Sequence, residues 1–162
     1  MKNTKFSNQP ETERRNQVVI RKAKPSDIPE IRVIELQTFP PAETFSYGFL
    51  HLMTTHGRPF LVASDAQGAL QGYILAVPQE DFVHIISVAV KPAYQGRGIG
   101  KKLLTSLIDL MRKEGYYCFR LELRKSNKRA RQLYWGFNFR PVGIRKNYYF
   151  DGEDAIIMEM QL

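Results

Sequence analysis

Three glycines at positions 96, 98 and 100 constrain this chain more than any other feature of its sequence. They follow an apolar segment with β-strand character, Phe82–Val90, and they precede a helical pattern that begins near residue 98. Glycine lets backbone N–H groups approach an anion closely, and the first turn of a helix adds unpaired N–H donors and the positive end of a dipole. Arg97, Lys101 and Lys102 add full positive charges. The segment therefore predicts a strand, an anion-binding loop and a helix, with a pyrophosphate as the expected ligand.

Two widespread phosphate-binding motifs do not match this loop. The dinucleotide pattern G-x-G-x-x-G requires a different glycine spacing, and the nucleoside-triphosphate pattern G-x-x-x-x-G-K-[ST] does not occur. A purely structural turn is the remaining alternative, but such a turn needs neither three glycines nor three neighbouring cations. We therefore expect the loop to bind a pyrophosphate, but not that of a dinucleotide or a nucleoside triphosphate bound through these two motifs.

The hydrophobic pattern along the chain predicts an α+β fold. The predicted strands are Val18–Arg21, Phe60–Ser64, Leu70–Val77, Phe82–Val90, Tyr116–Arg124 and a C-terminal hairpin that runs through Tyr148-Tyr149 and Ala155–Met160. The predicted helices are 24–38, with Ile28, Ile31, Ile34 and Leu36 as its buried stripe, 43–55, 98–114 and 127–137. The unit from Phe82 to Arg124 should pair its two strands in parallel through a right-handed crossover. We therefore expect a mixed, mostly antiparallel sheet of about seven strands with a parallel central pair, flanked by about four helices.

The rest of the sequence indicates one domain and excludes several classes of protein. Residues 1–17 are polar and aperiodic and are expected to form a mobile tail, which leaves 18–162 as a single domain. The N-terminus lacks the apolar core of a secretory signal, and no apolar run approaches the ~20 residues that span a bilayer. A lone cysteine, Cys118, excludes an intramolecular disulfide framework, and with only three histidines we expect no metal site. A cytoplasmic enzyme or binding domain without membrane contact is the expectation.

Positive charge is concentrated in one third of the chain. The net charge is +8, but residues 95–146 contain 14 Lys and Arg against three acidic residues, and the remainder is slightly acidic. Such a split indicates that the basic third meets an anion. Nucleic acid and a phosphorylated cofactor are both candidates, and a basic face that serves only solubility is the alternative.

Three ordered blocks of sequence resemble the GNAT acetyltransferase superfamily. Gln95–Gly100 resembles its acyl-CoA pyrophosphate motif, Q/R-x-x-G-x-G/A. Leu121–Asn127, followed by Ala130 and Leu133-Tyr134, is similar to the branch of protein N-terminal acetyltransferases, which includes the RimI-like ribosomal-protein enzymes and their archaeal relatives. Tyr148–Ala155 is close to the Tyr-Tyr…Gly-Glu-Asp-Ala signature of that branch.

This resemblance implies an enzyme that transfers the acetyl group of acetyl-CoA to the α-amino group of protein N-termini, including those of ribosomal proteins. The transfer would be a direct attack in a ternary complex, with acetyl-CoA as co-substrate, no metal and no requirement for nucleic acid. An acetyltransferase of the same fold that acts on lysine side chains or small amines is an alternative. A basic nucleic-acid-binding module is a more remote one, and the sequence leaves the oligomeric state open.

The resemblance also implies catalytic roles for three side chains. Glu122 matches the catalytic glutamate of the branch and is expected to be the general base; the alternative is a surface ion pair with Arg120 and Arg124, which share its face of the strand. His84, on the neighbouring strand, is expected to share the role of base across one water molecule, or else to be merely hydrogen-bonded. Tyr134 is expected to protonate the departing thiolate, or else to be a core aromatic residue with a satisfied hydroxyl.

Binding residues follow from the same resemblance. The backbone N–H groups of Val88 and Val90 should face the acetyl-pantetheine arm, and Asn127 should bind that arm. The expected cofactor-binding set is Val88, Ala89, Val90, Gln95, Gly96, Arg97, Gly98, Ile99, Gly100, Lys101, Asn127 and Tyr134. The expected substrate-binding set is Phe39, Glu43 and Tyr148, with Tyr148 and Tyr149 on a strand that points them to opposite faces. After the helix that carries Tyr134, the branch often has Gly-Phe; here Asn138-Phe139 should form the same left-handed cap.

Overall fold

The computed structural model describes residues 17–162, and the strands in this part of the chain form one seven-stranded sheet. The strands are β1 (Val19–Lys22), β2 (Phe60–Ser64), β3 (Leu70–Pro78), β4 (Val83–Val90), β5 (Cys118–Arg124), β6 (Arg140–Arg145) and β7 (Ala155–Gln161). Their order across the sheet is β1-β2-β3-β4-β5-β7-β6. Only β4 and β5 pair in parallel. The predicted α+β fold with a parallel central pair is confirmed; the predicted tail lies outside the described residues apart from Gln17.

Four α-helices accompany the sheet within the described residues. They are α1 (Ile28–Thr38), α2 (Tyr47–Thr55), α3 (Ile99–Lys113) and α4 (Lys128–Gly136). Glycines bound α3, with Gly98 before it and Gly115 after it at φ values of 79° and 91°. Asn138, just beyond α4, has a φ of 64°, so asparagine does adopt the expected left-handed conformation. None of the described helices is long and apolar enough to cross a membrane.

The sheet carries a buried cluster on each face because side chains alternate along its strands. On β3, Ile74 and Ala76 pack with α3, whereas Tyr73 and Leu75 pack with α1 and α2. We call these the α3 face and the α1/α2 face. On β5 the buried residues Phe119, Leu121 and Leu123 belong to the α3 face. Polar residues at alternate positions of β5, Arg120, Glu122 and Arg124, therefore lie on the α1/α2 face.

A β-bulge at Ile86 interrupts β4, which the sequence predicts as a regular strand. Leu75 of β3 pairs with Ser87, and the next residue of β3, Ala76, pairs with Ile85. Ile86 is therefore an extra residue without a partner on β3. Such a residue bends the strand and increases its twist.

The bulge changes both the pairing and the orientation of β4. Pairing with β5 is confined to Val83–Ile85 opposite Phe119–Leu121, so the two strands part where the bulge begins. Ile85 lies on the α3 face before the bulge, but Ala89 lies on the α1/α2 face after it, although regular alternation would give both residues the same face. The gap between β4 and β5 therefore begins at one inserted residue.

The second predicted helix is shorter than expected. The sequence predicts it from Glu43, but Pro41–Glu43 forms a single 3₁₀ turn, and α2 begins at Tyr47. The side chain of Ser46 accepts a hydrogen bond from the Phe49 amide (3.1 Å) and so caps the helix one residue earlier. The connection between α1 and α2 is therefore longer than predicted.

The placement of Tyr148 and Tyr149 on a strand is wrong. Both residues lie in the connection between β6 and β7, which turns through Asn147 and Gly152 at φ values of 50° and 82°. Their rings stack edge to face with centroids 5.1 Å apart. The two tyrosines therefore do not point to opposite faces of the sheet.

The buried stripe of α1 differs from its prediction at one position. Ile28, Ile31 and Ile34 are buried as expected, but Leu36 is 53% exposed and Glu35 is fully buried. Glu35 lies two helical turns after Ile28, so the carboxylate occupies a core position of the helix.

Candidate active site

Beyond the bulge, one edge of β4 has no strand partner among the described residues. The amide of Lys91 donates to the Gln71 carbonyl on β3 (2.8 Å), and N–H groups alternate between the two edges of such a strand. The amides of Val88 and Val90 therefore point to the opposite edge, where β5 no longer pairs. The Gln95 side chain donates to the Val90 carbonyl (3.0 Å), as expected if that carbonyl lies on the open edge. The strand offers two backbone donors to a bound group.

The predicted anion-binding loop forms at the start of α3. Gly96 and Gly98 have φ values of 80° and 79°, a region in which a residue with a Cβ is strained. Gly100 lies in the first turn of α3, where an added Cβ would be 3.4 Å from Leu133 of α4. The first amides of α3 have no intrahelical acceptor. The backbone geometry and the free donors fit a pyrophosphate.

Positive charge surrounds this loop, and part of it comes from a residue outside the predicted set. Arg97 lies over the Tyr94 ring, 5.2 Å from its centroid. Arg129, in the first turn of α4, donates to the Gln95 side chain (2.8 Å), and its guanidinium lies 3.6 Å from the position that a Cβ on Gly96 would occupy. The basic character of α4 was visible in the sequence, but nothing there showed that this helix packs against the loop.

His84 and Glu122 form a direct hydrogen bond across the parallel strands. His84 Nε2 lies 2.6 Å from Glu122 Oε2, so the expected water molecule between them is replaced by a direct contact. The other carboxylate oxygen lies 3.4 Å from the guanidinium of Arg145. The Glu122 side chain is 6% exposed and that of His84 is 30% exposed. The histidine is therefore the partner that remains accessible to a substrate.

The environment of Glu122 favours its ionised form. The hydrogen bond from His84 lowers the pKa of Glu122, burial opposes this shift, and the charges of Arg145 and Arg120 lower the pKa further. An ionised Glu122 accepts a hydrogen bond from the N–H of His84 Nε2, and in the neutral imidazole this leaves Nδ1 as an acceptor. The expected alternative, an ion pair with Arg120, is replaced by a contact between Arg120 and Glu159 (2.6 Å).

Tyr134 lies on the buried side of α4, with its ring edge-to-face against Phe139 at 5.6 Å. Burial raises the pKa of its hydroxyl, which keeps the proton on the oxygen at neutral pH. Among the described residues this hydroxyl has no hydrogen-bond partner, and it is not among the polar atoms sealed from solvent. Asn127 caps α4, since its side-chain oxygen accepts from the Ala130 amide (3.0 Å). Its NH₂ group is what remains for a ligand.

Arg124 joins two connections of the chain on the α1/α2 face of the sheet. Its guanidinium contacts Glu43, between α1 and α2, and also Asp151 (2.9 Å) and Glu153 (2.7 Å), between β6 and β7. It also lies 4.1 Å from the centroid of the Tyr149 ring. Burial lowers the pKa of Arg124, but its hydrogen bonds to the three carboxylates more than reverse this effect. The sequence indicates Arg124 only as a partner for Glu122 on the same strand, and its contacts with the two connections depend on the fold.

The three expected substrate-binding residues lie in different surroundings. Glu43 is held by Arg124. Tyr148 is linked to the His84–Glu122 pair through Arg145, whose guanidinium lies 5.6 Å from the centroid of the Tyr148 ring and 3.4 Å from Glu122. Burial and the Glu122 charge raise the pKa of the Tyr148 hydroxyl. Phe39, at the end of α1, packs against the core of the α1/α2 face. The structure thus brings Tyr148, but not Phe39, to the paired side chains.

Comparisons with known proteins agree with this geometry. Residues 28–139 match the sequence profile of the acetyltransferase (GNAT) family. The N-alpha-acetyltransferase of Sulfolobus acidocaldarius is 34% identical over 157 residues, which cover 88% of this chain and 92% of that protein. The ribosomal protein bS18-alanine N-acetyltransferase of Escherichia coli is 33% identical over 141 residues, covering 85% and 93%. The crystal structure of the ribosomal-protein-S18-alanine N-acetyltransferase from Escherichia coli has a TM-score of 0.80 and 30% identity, over 90% of this chain and 94% of that one. The chain therefore belongs to the GNAT family of acetyltransferases.

Proposed function

We propose that this acetyltransferase transfers the acetyl group of acetyl-CoA to the α-amino group of protein N-termini, by direct attack in a ternary complex. The observation that carries the proposal is the His84–Glu122 pair, a mild base beside the open edge of β4. An α-amino group, with a pKa of about 7.7–8.0, is neutral roughly 200 times more often at pH 7.5 than a lysine with a pKa of about 10.4. A mild base is therefore sufficient for an α-amine and poorly suited to a lysine.

On the donor side, the residues around α3 fit acetyl-CoA. The loop at Gly96 and Gly98 and the first amides of α3 would hold the pyrophosphate, with Arg129 as an additional cation. The amides of Val88 and Val90 would stabilise the negative charge that develops on the thioester oxygen during attack. We assign the Asn127 NH₂ group to the pantetheine arm, as the resemblance implies.

The proton transfers would use His84 as the base and Tyr134 as the acid. His84 Nδ1 accepts the proton of the attacking amine, and the ionised Glu122 stabilises the resulting imidazolium through Nε2. The hydroxyl of Tyr134, protonated and without a protein partner in the described chain, donates to the thiolate as the carbon–sulfur bond breaks. No acyl-enzyme is needed, so the lone cysteine has no role in this scheme.

On the acceptor side, the two connections that Arg124 joins would flank the incoming peptide. Glu43 and Tyr148 would line this groove, and Phe39 would support it from the core. The Escherichia coli relative is named for acting on ribosomal protein bS18, which makes the N-termini of ribosomal proteins, in the cytoplasm, the first substrates to test.

Mass spectrometry of acetylated peptides tests this proposal. One peptide sequence with an internal lysine is prepared with a free and with a formylated N-terminus, and each form is incubated with acetyl-CoA and the protein. We expect the acetyl group on the α-amine of the free form and little modification of the formylated form. The α-amine proposal would be contradicted if the lysine of the formylated peptide were acetylated faster than the α-amine of the free peptide. A reaction without the protein serves as the control for uncatalysed acetylation.

A further inference from the structure

A buried carboxylate lies between β4 and the connection between α1 and α2, and the mechanism above does not use it. Glu35 of α1 is fully buried; it accepts hydrogen bonds from the Tyr73 hydroxyl (2.6 Å) and from the Phe45 amide (2.6 Å). The Tyr73 hydroxyl also contacts the Ser87 hydroxyl (2.8 Å). These four residues form a continuous chain of hydrogen bonds from the α1–α2 connection to β4, which we call the Glu35 network.

Each end of the Glu35 network lies beside a part of the proposed site. Ser87 directly follows the bulge at Ile86 and precedes Val88, whose amide points to the open edge of β4. At the other end, Phe45 lies two residues after Glu43, in the connection that is joined to β5. The network therefore spans from the strand that faces the acetyl donor to the loop that flanks the acceptor.

The helix α1 holds this loop by its backbone. Glu35 accepts from the N–H of Phe45, and Arg32 donates to the carbonyl of the same residue. Arg32 also lies 3.8 Å from the Glu35 carboxylate. Both backbone groups of one loop residue are thus fixed by side chains of a single helix, which restricts the position of the loop relative to the sheet.

A requirement for stability alone does not explain a carboxylate at this position. Burial raises the pKa of Glu35, against the hydrogen bonds from Tyr73 and Phe45, which lower it. A buried carboxylate is costly even when it is hydrogen-bonded, and well-packed apolar residues often stabilise a core at least as well. What the carboxylate supplies, and an aliphatic side chain cannot, is two acceptors aimed at two separate elements.

We propose that Glu35 is a positioning residue: through the Glu35 network it fixes the acceptor loop relative to the strand that faces the donor, and so orients the incoming amine. The proposal rests on the proposed function only for the identity of that amine. It requires an acceptor bound beside His84, whether this acceptor is an α-amine or an ε-amine.

Tyr73→Phe tests the proposal because it removes only the hydroxyl that joins Glu35 to Ser87. Initial rates are measured with the acceptor peptide and acetyl-CoA varied separately. We expect the KM for the acceptor to rise roughly 10- to 150-fold, the range for one lost hydrogen bond to a charged group. The KM for acetyl-CoA should stay within about twofold, since the donor loop at α3 is not touched. Glu35→Gln should raise the acceptor KM less, because its amide can accept from Phe45 and donate to Tyr73.

A matched core variant separates positioning from general stability. Val62→Ala removes two methyl groups from the same buried cluster without altering the Glu35 network, and melting temperatures are recorded for every variant. The proposal is wrong if Val62→Ala raises the acceptor KM as much as Tyr73→Phe does at a similar loss of Tm. It is also wrong if Tyr73→Phe leaves the acceptor KM unchanged, or raises both KM values equally. The assay uses whichever amine the unmodified protein acetylates, so a preference for lysine would end the proposed function and leave this test in place.

Discussion

At the scale of single residues, the direct contact between His84 and Glu122 determines how the two side chains can act. Two groups that each contact a shared water could substitute for one another in proton transfer. In the proposed mechanism, groups joined at 2.6 Å would act as a unit, in which the more buried Glu122 orients and stabilises the more exposed His84. Losing either member should therefore disable the same function.

We expect His84→Ala to lower kcat/KM roughly 100-fold, the lower end of the range for a positioned proton-transfer group. Glu122→Gln should lower it somewhat less, because the amide keeps a hydrogen bond but loses the charge that stabilises the imidazolium. The double variant should be only slightly worse than His84→Ala alone, since the two residues serve one function. Steady-state kinetics gives kcat/KM for the three variants. If the fold-loss of the double variant equals the product of the two single losses, the residues have independent roles.

Tyr134→Phe keeps the ring that packs on Phe139 and removes the hydroxyl proton. We expect kcat to fall roughly 10- to 10⁴-fold, as for the loss of a general acid, with little change in the KM for acetyl-CoA. Tyr117→Phe, at an exposed position of the same residue type, is the control. A normal kcat with a large increase in the KM for acetyl-CoA would mean that Tyr134 binds the cofactor and is not the acid.

Residues of the site differed in how far the sequence could predict them. The proximity of His84 and Glu122 followed from two strands predicted to pair in parallel. Glu35 was missed because the helical pattern assigns core positions to apolar residues, and its partner Tyr73 is 38 residues away in sequence. Arg129 was missed for a similar reason, since its contact with Gln95 depends on how α4 packs.

At the scale of elements, the left-handed glycine before α3 is the most specific requirement of the donor site. A Cβ on Gly98 would meet nothing within 4 Å, so a side chain here fits sterically, and what it disturbs is the backbone conformation and the ligand. Asparagine and aspartate tolerate this conformation better than other side chains. Substitutions by these two residues therefore differ mainly in charge.

We expect Gly98→Asp to bind acetyl-CoA at least roughly tenfold more weakly than Gly98→Asn, because a carboxylate would lie close to the pyrophosphate. Isothermal titration calorimetry on the two folded variants measures the difference. Equal affinities of the two variants would show that the phosphates bind elsewhere.

Element boundaries show which local signals the sequence carried and which it did not. The start of α2 at Tyr47 was readable from Ser46, a favourable cap, but the acidic Glu43 also resembled a first-turn residue. The bulge at Ile86 was not readable, because β4 is apolar on both sides and an extra residue leaves no break in its pattern. The order of helices and strands was nevertheless predicted correctly, because it depends on hydrophobic periodicity over whole segments.

At the scale of the whole molecule, the concentration of positive charge coincides with the donor side of the fold. Residues 95–146 contain the anion loop, α3 and α4, and carry 14 Lys and Arg against three acidic residues, whereas the rest of the chain is slightly acidic. The sequence predicted an anionic partner for this region and left nucleic acid open. The structure places Arg97 and Arg129 at the glycine loop, which supports a phosphorylated cofactor as the partner.

We expect the affinity for acetyl-CoA to fall roughly three- to tenfold between low and high salt, because exposed charges are screened beyond about 10 Å at 0.1 M ionic strength. Arg129→Gln should weaken binding and reduce this salt dependence. Arg112→Gln, which removes an exposed cation near the other end of α3, should change neither. Binding titrations across a salt series measure the affinity for acetyl-CoA and its salt dependence. Equal changes of affinity in the two variants would indicate that the overall positive charge attracts the cofactor without a specific contact from Arg129.

The gap between β4 and β5, where we propose that acetyl-CoA binds, depends on the number of residues in β4, because it begins at the extra residue Ile86. With one residue fewer, β4 would run straight beside β5, and the amides of Val88 and Val90 would be consumed by hydrogen bonds within the sheet. The segment after the bulge would keep its faces, because Ser87 would then follow Ile85 directly and lie on the opposite, α1/α2 face, as it does now. A deletion here would be more damaging than most side-chain replacements at the same position. It would yield a continuous sheet without the gap between β4 and β5 in which we place the acetyl donor.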